Sequence, residues 1–102
     1  KSIDVLVRRS DGTLREVSVK AIRSGGKWGV ASEDESAAKT RVYVLLLYRD
    51  FDNPKADVDV FVIPARDVQR LKEPWFKGHA VYCSNAVSRD AIEKYRDAWH
   101  HI

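Results

Sequence analysis

Several residue types are scarce in this chain, and each shortage excludes a class of protein. The 102 residues contain no methionine and a single cysteine, Cys83. One thiol forms no internal disulfide and supplies no paired ligands for zinc, which suits a reducing compartment. The longest apolar run, residues 42–47, is far shorter than a membrane span, and no signal-peptide pattern follows Lys1. We therefore expect a cytoplasmic protein with no membrane partner.

Common catalytic patterns are also missing. No Ser-His-Asp arrangement is visible, and the histidines at 79, 100 and 101 do not form a zinc set with the lone cysteine. Gly25-Gly26-Lys27 lacks the upstream glycine and the hydroxyl residue of a phosphate-binding P-loop. We interpret His100 and His101 as frayed surface residues. The remaining candidates for chemistry are carboxylates and basic side chains.

The positive charge is unevenly distributed. The net charge is +3, but residues 1–27 carry +4 and the remaining 75 residues carry −1. A local positive field favours phosphate binding, so Arg8, Arg23 and Lys27 are candidate contacts for nucleic acid. The plain alternative is that a polar hairpin surface simply carries charges.

The opening hairpin is the most informative segment. Residues 3–9 and 14–20 alternate apolar and polar side chains on either side of Ser10-Asp11-Gly12. The valines share one face if the numbers of opposed residues sum to 22, which fits a three-residue loop with glycine in the left-handed region. A two-residue Asp11-Gly12 turn would mix polar and apolar side chains on both faces, so we rank it second.

This register pairs Asp4 with Ser18 and places Glu16 and Lys20 on the same face. A carboxylate beside a lysine on adjacent strands is what metal-assisted phosphodiester cleavage needs, because the carboxylate holds the cation and the lysine stabilises phosphate charge. The structural alternative is an ordinary cross-strand salt bridge of Asp4 with Lys20, or of Glu16 with Arg8.

The order of Asp4, a hairpin turn and a strand ending in lysine resembles the PD-(D/E)xK, or restriction-endonuclease-like, nuclease superfamily. Small bacterial members of that superfamily read "D…QVKT" at this place. Residues 42–48 and 60–68 are similar to its two later strands and short helix, and residues 92–99 to its closing helix. The proline that precedes the aspartate in the superfamily falls on Ile3.

The resemblance implies an α/β fold for residues 1–102 as a single domain. We expect a mixed β-sheet of about four or five strands flanked by helices. The superfamily's first helix would precede Lys1, so the resemblance implies a core that lacks or truncates this helix.

The resemblance also implies a metal site for Mg²⁺ or Mn²⁺. Asp4 and the backbone carbonyl of Val19 would hold the metal, and Lys20 would be the catalytic lysine. The superfamily's second acid falls on Ser18, a poor ligand for a hard cation. The site is therefore impaired unless Glu16 supplies the missing charge.

The rest of the chain predicts further strands and helices. Residues 42–48 are apolar on both faces, which indicates a central strand covered on both sides. Residues 58–63 predict a neighbouring strand that ends at Pro64, and residues 65–72 a short helix with Val68 inward. Brief strands are expected at residues 28–30 and 80–83.

The C-terminal segment predicts one longer helix. Ser88 is the expected N-cap of a helix over residues 89–101. An apolar stripe at helical spacing would lay this helix on the sheet, and its members are Ile92, Tyr95, Trp99 and Ile102.

Two functional classes follow from these features. The first is a metal-dependent nuclease acting on DNA, and the second is a non-catalytic nucleic-acid-binding or protein-interaction module with the same fold. The second class includes a homodimer formed through an exposed strand edge or through the Trp75-Phe76 loop. Under both, we expect salt-dependent binding that Arg8→Ala or Lys27→Ala weakens.

Overall fold

The computed structural model describes residues 2–23, 26–49, 53 and 57–102. Residues 24–25 and most of the polar segment at residues 49–57 lie outside these ranges. In chain order the elements are β1 (Ser2–Arg8), β2 (Leu14–Ile22), β3 (Lys27–Val30), α1 (Glu35–Ala38), β4 (Arg41–Tyr48), β5 (Val58–Pro64), α2 (Ala65–Leu71), β6 (Glu73–Trp75), β7 (Gly78–Tyr82), α3 (Ala86–Glu93) and a C-terminal 3₁₀ turn (Trp99–His101). None of the helices in this part of the chain has the length and apolar character needed to cross a membrane.

Two sheets build the fold. The larger has the strand order β1-β2-β4-β5, with β2 and β4 parallel and the other neighbours antiparallel. The crossover that a parallel pair requires contains β3 and α1. The smaller sheet has the order β3-β7-β6. The predicted α/β class with a mixed sheet is confirmed, whereas the smaller sheet was not predicted.

The larger sheet is covered on both faces. On one face, its aromatic and leucine side chains pack with Trp28 and Val81 of the smaller sheet and Ile92 of α3. Trp28 Nε1 also donates a hydrogen bond of 3.0 Å to the Leu46 carbonyl. On the other face, a valine cluster packs under Ala98 and Ile102. The prediction that residues 42–48 form a central strand covered on both sides is confirmed.

The prediction of a single helix over residues 89–101 is wrong. Helix α3 ends at Glu93, and its N-cap is Asn85, whose side chain accepts a 2.9 Å hydrogen bond from the Ser88 amide. Ser88 is therefore not the N-cap, as predicted, but the N3 residue of a capping box that Asn85 begins. After α3 the chain runs along the edge of β5, where the Tyr95 carbonyl and the Asp97 amide form 2.9 Å hydrogen bonds with β5 backbone. A continued helix would leave this strand edge unpaired.

The shorter predicted elements are confirmed. Strand β3 contains residues 28–30, and β7 covers most of residues 80–83. Helix α2 spans Ala65–Leu71 and buries Val68 completely.

Candidate nucleic-acid interface

The hairpin has the predicted register. Asp4 lies opposite Ser18, and every pair in β1 and β2 sums to 22. The Arg9 amide donates to the Thr13 carbonyl at 2.8 Å, and Gly12 has a φ of +86°. These contacts confirm the three-residue loop with glycine in the left-handed region.

Asp4, Ser18 and Lys20 lie on one face of the hairpin. In an antiparallel ladder, hydrogen-bonded pairs alternate with non-hydrogen-bonded pairs. Arg9 and Thr13 form a hydrogen-bonded pair, since the Arg9 amide donates to the Thr13 carbonyl. Asp4 and Ser18 therefore form a non-hydrogen-bonded pair, in which opposed side chains are closer. Asp4 is exposed, Lys20 is half-buried and Ser18 is 3% exposed. No ion pair joins Asp4 to Lys20 among the ion pairs of the described residues.

Glu16 is engaged elsewhere. Its carboxylate forms an ion pair with Arg41, which also contacts Glu33 at 2.8 Å. Burial alone would lower the pKa of Arg41, but the carboxylates of Glu33 and Glu16 raise that pKa above its ordinary value. The alternative pairing of Glu16 with Arg8 is therefore not the one formed. The Glu16 carboxylate is therefore bound to Arg41, which it would have to leave or share to act as a metal ligand beside Asp4.

The metal site predicted at the hairpin is short of ligands. No group of three or more His, Cys, Asp or Glu side chains that could hold a metal ion occurs within the described residues. Asp4 forms no ion pair with another described residue, Ser18 is neutral, and the Val19 carbonyl belongs to β2, which lies between β1 and β4. Mg²⁺ is usually held through one or two carboxylates and binds more weakly without them. The described residues thus supply Asp4 as the one available charged ligand, and they do not fit a complete site.

On the same face, Lys20 borders an open groove between the hairpin and the smaller sheet. The groove has a volume of about 540 Å³. Trp75 and Phe76 line it, with exposures of 37% and 93% and ring centroids 5.5 Å apart. Lys77 and His79 complete its outer wall. Aromatic faces and basic groups therefore meet at one place.

Of the two aromatic residues, Trp75 contacts neighbouring residues and Phe76 has an unusual backbone conformation. Lys27 Nζ lies 5.1 Å from the centre of the Trp75 ring, within cation–π range. Phe76 has a φ of +54°, a left-handed conformation that is strained for a bulky side chain. The Trp75 ring also lies against β3, since a Cβ placed on Gly29 would be in van der Waals contact with Trp75 Cζ3, at 3.4 Å.

The three cations predicted to contact nucleic acid are separated by the fold. Lys27 lies beside the groove, whereas Arg8 lies at the turn end of β1. Arg8 lies six positions along β1 from Ser2, the partner of Lys20, which is a distance of about 20 Å. Arg23 is exposed just after the end of β2. The sequence indicated Lys20, Lys27 and Trp75-Phe76 separately, and no local signal joined them, because the pairing of β3 with β7 is long-range.

No protein-family model, curated protein or solved structure matches this chain. The likeness to PD-(D/E)xK nucleases therefore stays a prediction that depends on the hairpin residues.

Proposed function

We propose that this chain binds single-stranded DNA in the groove beside Lys20, on a nuclease-like hairpin. The observation that carries the proposal is the exposed, left-handed Phe76 next to Trp75, with lysines 20, 27 and 77 around the pair. Unpaired bases would stack on the two rings, and the lysines would contact the phosphates.

The chemistry of the groove suits unpaired rather than duplex DNA. Stacking of a base on an aromatic side chain contributes about 1–3 kcal/mol and needs an exposed base face. Bases in a duplex are already stacked on one another. Each lysine that neutralises a phosphate releases a counterion, so binding weakens as salt increases.

The test of this proposal is Phe76→Ala. Because the side chain is 93% exposed, its removal leaves the fold intact. We expect about tenfold weaker binding of a fluorescent oligothymidine in anisotropy titrations, the equivalent of about 1.4 kcal/mol of lost stacking. Lys27→Ala should reduce the slope of log affinity against log salt by about 0.7.

Trp99→Ala is the matched control. Trp99 is 52% exposed and does not line the groove. Its removal should leave affinity unchanged. Equal affinity of Phe76→Ala and wild type, or equal losses in Phe76→Ala and Trp99→Ala, would show that the groove is not the binding surface.

A second candidate function, metal-dependent cleavage of DNA, is favoured by the position of Asp4. Its carboxylate forms no ion pair with another described residue and shares a face with Ser18 and Lys20, as the PD-(D/E)xK pattern requires. We propose that the wild-type site is impaired, because Glu16 is paired with Arg41.

A Mn²⁺ titration tests this candidate. We expect measurable binding, and nicking of plasmid DNA, in Ser18→Glu and not in wild type, because the substitution restores a second carboxylate beside Asp4. Asp4→Ala or Lys20→Ala added to Ser18→Glu should abolish nicking.

Thermal unfolding with and without Mn²⁺ provides the control for Ser18→Glu. Ser18 is 3% exposed, so an unliganded glutamate there should lower the melting temperature and Mn²⁺ should restore it. Nicking by wild type would contradict the impaired site. If Ser18→Glu folds but binds no Mn²⁺, the resemblance to nucleases concerns only the fold and not a metal site.

A further inference from the structure

A second concentration of positive charge lies at the turn end of the hairpin, away from the groove. A cavity of about 300 Å³ opens there. Its basic groups come from the hairpin, the turn before β4, the start of α2 and the C-terminal 3₁₀ turn. They are Arg9, Arg15, Lys39, Arg66, His100 and His101, and Arg41 at the start of β4 is a seventh.

This positive charge is not neutralised within the cavity. No aspartate or glutamate lines it. Arg41, which also borders it, is already paired with Glu16 and Glu33. Arg9 and Arg66 form no ion pair with any residue in the described part of the chain.

One carboxylate near the cavity is Asp11, at the tip of the hairpin. One of its oxygens accepts hydrogen bonds from the Thr13 amide and hydroxyl, at 2.9 and 2.6 Å. These bonds, together with the nearby charges of Arg9 and Arg15, hold the pKa of Asp11 below its ordinary value. Neither arginine forms an ion pair with Asp11 among the ion pairs of the described residues.

Arg15 is oriented in advance. Its Nη1 donates a 2.8 Å hydrogen bond to the Lys39 carbonyl, and its Nε is buried without a hydrogen-bond partner. The rings of His100 and His101 lie 4.1 Å apart, centre to centre, at the opposite wall. Arginine guanidinium groups and imidazole rings that line one small space are suited to bind a compact anion with several acceptor oxygens.

We propose that this cavity binds a phosphate group. A volume of about 300 Å³ is at the lower end for ligand pockets and admits a phosphate with part of the molecule that carries it. Two sources share this chemistry: the terminal phosphate of a nucleic-acid strand and the phosphate of a free small molecule. The cavity is distinct from the groove, because Arg15 and Lys20 point to opposite faces of β2 and lie about 16 Å apart along it.

Titration with inorganic phosphate, followed by NMR on backbone amides and arginine Nε–H groups, tests the proposal. Resonances of Arg15 and of the C-terminal turn should shift. The double variant Arg9→Ala/Arg66→Ala should bind phosphate at least about tenfold more weakly, since it loses two charged hydrogen-bond donors.

The matched control is Arg70→Ala/Arg89→Ala. It removes the same number of arginines, from α2 and α3, but neither residue lines the cavity and both are exposed. Its phosphate affinity should stay within about twofold of wild type. Equal losses in the two double variants, or shifts that avoid the cavity, would overturn the proposal.

Oligonucleotides distinguish the two sources. These measurements use a Phe76→Ala background. The source is the end of a nucleic-acid strand if a 5′-phosphorylated strand binds more tightly than its 5′-hydroxyl form and if Arg9→Ala/Arg66→Ala removes this difference. Equal binding of the two strands, with phosphate still bound, identifies a small molecule. Both outcomes support the phosphate site, and neither depends on the groove.

Discussion

At the residue scale, Asp59 is the most strongly engaged carboxylate described. Its side chain is 9% exposed, and Arg49 Nε and Nη2 donate to its two oxygens at 2.7 Å each. Arg96 contacts the same carboxylate and also bonds to Glu93. Hydrogen bonds from Arg49, and then from Arg96, hold the pKa of Asp59 below its ordinary value of 3.8. Asp59 thus ties β5 to the segment after α3.

Asp59→Asn should destabilise the protein by about 2 kcal/mol at pH 7, because two partly exposed arginines lose a buried anionic partner. The pKa of Asp59 is lower in the folded state than in the unfolded state. Its carboxylate therefore stabilises the fold above about pH 4, and this stabilisation is lost as pH falls through the folded-state pKa. Urea unfolding between pH 2.5 and pH 7 measures both effects.

The free energy of unfolding of Asp59→Asn should lack this part of the dependence on acidic pH. Asp90→Asn is the control, since Asp90 is exposed on α3 and forms no ion pair with any of the described residues. If Asp59→Asn and wild type unfold at the same urea concentration at pH 7, the arginines do not depend on this carboxylate for stability.

At the element scale, the hairpin depends on the conformation of Gly12. Its φ is +86°, and a Cβ built on it meets no atom within 4 Å. The cost of a side chain there is therefore conformational and not steric. Gly12→Ala should lower the free energy of unfolding by about 1–2 kcal/mol.

Gly12→Asn should cost less than Gly12→Ala, because asparagine enters the left-handed region more readily. Urea unfolding of the two variants gives the comparison. If alanine and asparagine reduced stability equally, the loop would not require the left-handed conformation in solution.

Elements with a complete local pattern were predictable. In the hairpin, alternation and turn chemistry agree on one register, and β4 is apolar at nearly every position. In the C-terminal segment, Ile92 and Tyr95 of the predicted apolar stripe are buried and Ile102 is half-buried, but Trp99 is 52% exposed, so the stripe is only partly confirmed. The helix nevertheless ends at Glu93, since the backbone of residues 95–97 pairs with β5. A hydrophobic pattern carries no information about such an open strand edge.

At the scale of the whole molecule, the fold divides the basic residues between two sites. Lys20 and Lys27 lie near the aromatic groove, and Arg9 and Arg15 at the opposite end of the hairpin. Lys39, Arg66 and the C-terminal histidines, distant in sequence, join the second group. The interpretation of His100 and His101 as frayed surface residues is wrong for His101, which is half-buried with its ring tilted by 42° against that of His100, whereas His100 is exposed.

The sequence by itself determined the α/β class, the hairpin register and the pairing of Asp4 with Ser18, because alternation and turn chemistry act between residues close in the chain. Only the tertiary structure decided that Glu16 pairs with Arg41, that Trp75-Phe76 faces Lys20 and that seven basic residues line one cavity. Most of these contacts join segments that are distant in sequence, such as Glu16 and Arg41, which are 25 positions apart. Their geometry depends on how two sheets pack, which no local pattern encodes.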